Sequence, residues 1–379
     1  MNYCIRIMIA LTLTVTVSEL QGQNFYESYL PAHYDTADSG TVSIHFYNNN
    51  FIKNNEYFGP YAEGITYIGS IIQPEVTWSL SDKFSLSAGW YLRYFYGKDN
   101  FEQSLPVIRA RYNFLPGARL IMGQLDGQLQ HQYIEPMYNT DNYFSTNPEY
   151  GVQFLVDRKK FHTDIFMDWE HFLMPGDSLQ EEIGGGFLAN VALNDLSENR
   201  GLSAHFQSII HHFGGQVDAS AKPIQTRTNV ALGLEYAFLP KLNLLNRITL
   251  SSFYIRAMDL SNTITIPFKS GYAFHNTVTF ENKWIKLGTG WFHGYHYFAP
   301  KADYLFQSVS QFSNYYTTSG RDLITSKFEF GNEITKGVNL SIRFESYYDL
   351  QRKWNDFSYG LNIRVNAEVF ERKPKGKRD

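Results

Sequence analysis

Along 225–238 of this 379-residue chain apolar and polar side chains alternate: Val230, Leu232, Leu234, Tyr236 and Phe238 fall on one parity, Arg227, Asn229, Gly233 and Glu235 on the other. Period-two alternation is the mark of a β-strand whose two faces meet different surroundings. It recurs in about sixteen segments of roughly 9–16 residues, the first at 41–49 and the last at 357–370. In that last segment Tyr359, Leu361, Ile363, Val365 and Val369 oppose Ser358, Asn362, Arg364, Asn366 and Glu368. The chain is therefore all-β.

Segment length separates the all-β architectures. Propeller and sandwich strands commonly run five to six residues, whereas about twelve residues at 3.4 Å each, tilted by roughly 40°, rise about 30 Å, enough to cross an outer membrane. Connections alternate in length as well. Ser81-Asp82-Lys83, Pro116-Gly117, Lys159-Lys160, Pro240-Lys241, Lys283 and Lys336-Gly337 are short, while 50–64, 126–149, 214–224, 260–268 and 299–321 are long. Short turns on one rim and long loops on the other predict an antiparallel up-and-down transmembrane β-barrel of about sixteen strands, with periplasmic turns and external loops. Trp78 and Phe84 near the turns, and Tyr94 and Tyr96 near the loops, suit interfacial aromatic girdles. Aromatics make up 17% of the chain and charged residues only 18%, with mean hydropathy −0.33 and no long apolar run in the body. Those values exclude a helical membrane protein and a disordered chain.

Residues 1–22 read as a secretory signal, with Arg6 ahead of the apolar stretch Ile7–Val17 and Gly22 as a small residue before cleavage. Cys4, the one cysteine, lies inside it, so the mature chain has no disulfide to rely on. The expected organisation is a periplasmic segment over 23–40, the barrel over 41–370, and a basic periplasmic tail over 371–379.

The stretches Asn48-Asn49-Asn50-Phe51-Ile52-Lys53-Asn54-Asn55-Glu56-Tyr57-Phe58, Glu63-Gly64-Ile65-Thr66-Tyr67-Ile68-Gly69 and Gln132-Tyr133-Ile134-Glu135-Pro136-Met137-Tyr138 resemble a porin-like family of outer-membrane barrels from Bacteroidota. The resemblance implies a fold and an outer-membrane location and carries over no catalytic residue. Phe370, ending the last strand, is similar to the aromatic signal read by barrel assembly machinery, although nine residues follow it.

The inward parity carries charges of both signs. Arg93, Arg109, Arg111, Arg343 and Arg364 are expected to line a lumen together with Asp164, Asp168, Glu170 and Glu345, and such opposed ladders favour small polar solutes. The third external loop, 126–149 after 50–64 and 98–103, bears His131, Tyr133, Glu135, Tyr138 and Asp141 and is the candidate constriction. The first expectation is thus a channel for passive diffusion of small polar solutes. The alternative is a closed interaction barrel whose Tyr-rich loops bind a surface protein or glycan. Ser203, His205 and His211 share one face of a strand and neighbour Asn190, but no G-x-S-x-G accompanies them, so a hydrolase ranks last and no enzyme is expected. No cofactor is expected either. His211-His212 and His293-x-x-His296 each point to opposite faces of a strand and cannot jointly chelate a metal. Expected partners are membrane lipid, the assembly machinery, the solutes and an oligomeric or surface-protein neighbour, with no nucleic acid.

Overall fold

The computed structural model describes residues 39–194, 200–215, 218–240, 242, 244–313 and 316–372. The predicted signal, most of the 23–40 segment and the tail beyond Arg372 lie outside these residues. Sixteen antiparallel strands follow one another around a closed barrel, each paired with its sequence neighbours, and the last returns to the first. The closing seam joins β1 (Val42–Glu56) to β16 (Trp354–Arg372), in register from Val42 opposite Arg372 to Glu56 opposite Phe357. Closure leaves no unpaired edge, which a strand within hydrocarbon requires.

The two parities separate as the alternation predicts. Leu232, Leu234, Tyr236 and Phe238 are exposed on the outer wall, while Asn229, Ala231, Glu235 and Ala237 are buried inside. Trp78 and Tyr96 stand exposed near opposite rims, in keeping with girdles. One strand runs beyond its expected end: β1 continues past 49 to Glu56 through the asparagine-rich stretch. Its outward amides satisfy one another and nearby phenols. Asn50 donates to Asn48 Oδ1 (2.6 Å), Tyr96 donates to Asn50 Oδ1 (3.1 Å), and Asn54 donates to Tyr359 Oη (2.8 Å). Paired this way, the amides no longer compete with the ladder.

The interior is filled from one end. Two long connections, at 125–149 and 296–313, fold into the barrel from the long-loop rim and share an apolar cluster with the wall that includes Ile134, Met137, Tyr297, Phe298, Phe306 and Phe292. Of three successive glycines on β8 (Glu182–Ala192), Gly186 makes room for the first loop. A Cβ on Gly186 would lie 2.2 Å from the Tyr133 hydroxyl and 2.7 Å from the Phe166 ring. Glycine in mid-strand is thus a docking notch rather than a weak point.

Candidate active site

The inward ladders are brought together inside the barrel, largely as ion pairs. Arg111 reaches Asp126 at 3.0 Å, Arg109 lies 3.5 Å from Glu75, and Arg343 lies 3.2 Å from Glu329. Arg93 donates to the carbonyls of Ser145 (3.1 Å) and Thr146, holding the descending arm of the first loop. Lys53, buried on β1, pairs with Glu345 and donates to Ser358 Oγ at 2.9 Å. Asp168 accepts the Tyr150 amide at 2.8 Å, Lys301 pairs with Glu170, and Arg364 is buried on the inward face of β16.

The predicted constriction residues all lie on the inserted loop, four of them fastened to the wall and Tyr138 to the loop's own Glu149. Glu135 pairs with Lys327 (2.6 Å) and accepts from the Tyr347 hydroxyl, and Asp141 accepts from Asn55 at 2.7 Å. Tyr133 donates to the Ser208 carbonyl (3.0 Å) and Tyr138 to Glu149 (2.6 Å). His131 is fully buried, with Nε2 2.6 Å from Glu149, Nδ1 2.6 Å from Asp164, and its ring stacked on Phe166. Burial alone would lower its pKa, but the Glu149 and Asp164 carboxylates override this and raise it to about 10. Burial likewise opposes ionisation of Glu149, yet His131 holds that carboxyl down at about 2. The ring is therefore an imidazolium clamped between two carboxylates.

A different constellation lies towards the short-turn rim. On β9 (Arg200–Phe213) Ser203 and His205 are two residues apart and both face inward, with Ser203 Oγ 2.8 Å from His205 Nε2. Asn190, directly opposite His205 in the β8–β9 register, places Oδ1 2.7 Å from His205 Nδ1. An amide oxygen only accepts, so Nδ1 carries the ring proton and Nε2 presents its lone pair to the serine hydroxyl. That is the tautomer a general base needs. Ser43 and His45 on β1 repeat the first contact at 2.8 Å, so strand spacing alone produces a Ser–His pair; Asn190 is what orients the β9 ring.

These three side chains line a cavity of about 470 Å³ whose mouth is formed by Gly117, Lys159 and Lys160 at the short turns. Arg119 and Arg158 add positive charge around it. Arg119 is anchored by Asp157 at 2.7 Å, which also accepts from His162 at 2.5 Å. Anionic groups would be drawn to such a mouth.

A family model described as lipid A 3'-O-deacylase-type matches residues 34–373. The chain belongs to the lipid A 3'-O-deacylase-type family. No curated protein sequence matches it. Among solved structures it is similar to the outer membrane protein OprD from Pseudomonas aeruginosa, at 10% identity and TM-score 0.52 over 90% of this chain and 98% of that one. OccK2 (OpdF) of the same organism matches at 9% identity and TM-score 0.50, over 86% of this chain and 98% of that one. At such identity the likeness shows the fold: this member of the family is an outer-membrane β-barrel.

The family corrects the expectation that the protein is not an enzyme, since it is named for a deacylase. The G-x-S-x-G signature belongs to a sharp strand-to-helix turn, an element that an antiparallel barrel lacks, so its absence does not argue against a hydrolase. In an antiparallel barrel the three meet through i, i+2 spacing and cross-strand register, which no local pattern records.

Proposed function

We propose that the protein is an outer-membrane hydrolase that cleaves an acyl ester, with Ser203 as nucleophile, His205 as general base and Asn190 as the group that orients the ring. The observation carrying this reading is the continuous relay from Ser203 Oγ to Nε2 (2.8 Å) and from Nδ1 to Asn190 Oδ1 (2.7 Å), opening onto the cavity. Ser203 Oγ would attack the ester carbonyl while its proton passes to Nε2. The same proton then goes to the departing alkoxide oxygen as the ester bond breaks, leaving an acyl-serine and an alcohol. Water, deprotonated by the same nitrogen, releases the carboxylic acid and restores the serine. The family description points to an O-linked acyl chain of lipid A as the substrate class. The basic mouth suits an acylated substrate that carries anionic groups.

The test is mass spectrometry of lipid A incubated with the full-length barrel in detergent micelles. Loss of one acyl chain with the wild type, and none with Ser203→Ala, is expected. Deacylation that survives Ser203→Ala moves the chemistry elsewhere on the barrel, and an inactive wild type removes the hydrolase reading.

A passive channel is the second reading, motivated by the charged inner wall. The ion pairs across the inner wall and the two inserted loops favour a closed lumen instead. Silent planar bilayers containing the inserted protein are expected, and steady conductance steps from the wild type would restore the channel.

A further inference from the structure

At the long-loop rim a cavity of about 290 Å³ lies between the start of β10 (Gln225–Phe238), the 260–268 connection and the second inserted loop. Ser203 pairs with Glu235 near the other end of β10, so this vestibule and the Ser203 relay sit at opposite ends of the barrel. Gln225 and Arg227 line it from the strand, Thr265 from the connection, and Phe298 and Tyr304 from the loop. We propose that it binds a sugar acid, a saccharide unit that carries a carboxylate.

The charge comes from one uncompensated guanidinium. Arg227 Nη2 donates to Gln225 Oε1 at 2.6 Å and to Thr265 Oγ1 at 2.8 Å, which fixes the plane of the group. Among the described residues neither Nη1 nor Nε has a partner, and of the two only Nε is buried, so Nη1 is open to an incoming acceptor. Asp259 stands directly opposite Arg227 in the β10–β11 register, yet no ion pair joins them. Its Oδ1 accepts the Ser261 amide at 2.9 Å, and its Oδ2 lies 3.7 Å from Lys269. Asp259 and Lys269 thus offset each other and leave Arg227 positive. Donors left without acceptors are costly, and a carboxylate on a guanidinium is a strong, charge-assisted remedy.

The other groups favour a saccharide over a bare anion. Gln225 Oε1 also accepts from Thr265 at 3.1 Å, while its Nε2 has no partner among the described residues and remains a donor. Tyr304 is 38% exposed, and neither its ring nor its hydroxyl has a partner among those residues. Its place at the mouth is fixed by the short turn it opens, in which Leu305 and Phe306 are buried and Asp303 accepts the Leu305 amide at 2.8 Å. A tyrosine held this way offers a face for a pyranose ring at low entropy cost, and buried Phe298 and Ile266 supply an apolar floor. The free amide and phenol are left for ring hydroxyls. About 290 Å³ is at the low end of ligand pockets and suits one sugar ring.

The test is titration calorimetry of the full-length barrel in detergent with D-galacturonate, D-galactose and inorganic phosphate. Saturable binding of about one galacturonate per chain is expected, about tenfold or more tighter than galactose and weakened by a similar factor in Arg227→Gln. Tyr304→Ala should weaken it several-fold, and Tyr304→Phe should keep most of it. Heat-modifiability on electrophoresis confirms that each variant is folded, and Tyr304→Ala, at an exposed position, serves where Arg227→Gln is not. No saturable galacturonate binding, equal affinity for galactose, or unchanged binding in the folded variants overturns the site. Phosphate bound as tightly as galacturonate overturns the assignment to a sugar. Ser203→Ala should bind galacturonate as the wild type does, so the outcome is independent of the lipid A assay.

Discussion

His131 Nε2 lies 2.6 Å from Glu149 Oε2 inside the barrel, tying the start of the inserted loop to its end just before the next strand begins. Asp164 on the wall completes the clamp at 2.6 Å from Nδ1. Removing the ring leaves two buried carboxylates without their cation. Replacing His131 with Leu should therefore destabilise the docked loop by about 3–5 kcal/mol, the usual cost of breaking a buried pair. Faster proteolysis within 125–149, with the strands still resistant, is the measurement that checks it.

The same clamp sets a pH dependence. The pKa of His131 rises from 6.5 to about 10 on docking, so its contribution is complete below pH about 6.5 and fades as pH climbs towards 10. Glu149 is depressed from 4.5 to about 2, so its contribution is present above pH about 4.5 and is lost as pH falls towards 2. Hydrogen exchange of the loop amides should be slowest between about pH 4.5 and 6.5, after correction for the intrinsic rate, and protection should decline on both sides. Flat protection from pH 5 to 10 would contradict an imidazolium clamp.

Gly186 offers a way to lift the loop without touching a charge. A Cβ there meets the Tyr133 hydroxyl at 2.2 Å and Phe166 at 2.7 Å, so Gly186→Val should expel Tyr133 from its notch. Planar-bilayer recordings should then show conductance that the wild type lacks. Equal silence in the two proteins would mean that the second inserted loop closes the lumen alone.

Asn190→Ala tests whether ring orientation matters to the proposed hydrolysis. Without its acceptor at Nδ1, His205 is free to place the proton on Nε2, facing Ser203, where it cannot act as a base. A fall in kcat of about 10²–10⁴ with little change in KM is expected, and Asn190→Asp should recover part of it. A purely structural asparagine would change thermal stability instead and leave the kcat of the folded fraction intact.

Lys53 gives a stability test remote from either site. It is 1% exposed and paired with Glu345, which is equally buried, across the β1–β16 seam region. Lys53→Met should cost about 1–3 kcal/mol by removing one of the cations on that carboxylate, which keeps Lys327 at 3.3 Å and Ser358 at 2.9 Å, and the double variant Lys53→Met/Glu345→Gln should regain part of it. Urea unfolding in detergent distinguishes the two.

Much of the barrel could be read from the chain because lipid outside and polar groups inside impose a period of two on every strand. Val230 to Phe238 show this without any knowledge of neighbours. The asparagines of β1 hid the true end of that strand, since amides at outward positions look like a turn until Tyr96 and Tyr359 are seen to bond them. The candidate chemistry was less legible. Parity and strand order put Asn190 beside Ser203 and His205, but the hydrogen bonds that fix the ring depend on a register that sequence spacing does not encode. The inward course of 126–149 is expected from its place and length, whereas its partners on the wall, Lys327, Asn55 and Asp164, are fixed only by the fold.

The β1–β16 seam makes the chain's two ends mutual partners along fifteen residues of β1, so the ring stays open until the final strand has been made. Both inserted loops precede that strand in the chain, and the first is fastened to walls on either side of the seam, Asp141 to Asn55 on β1 and Glu135 to Tyr347 on the strand before β16. The plug therefore stands ready as an internal mould against which the open sheet curls. Variants that loosen the loop should slow the last step of assembly more than they weaken the finished barrel.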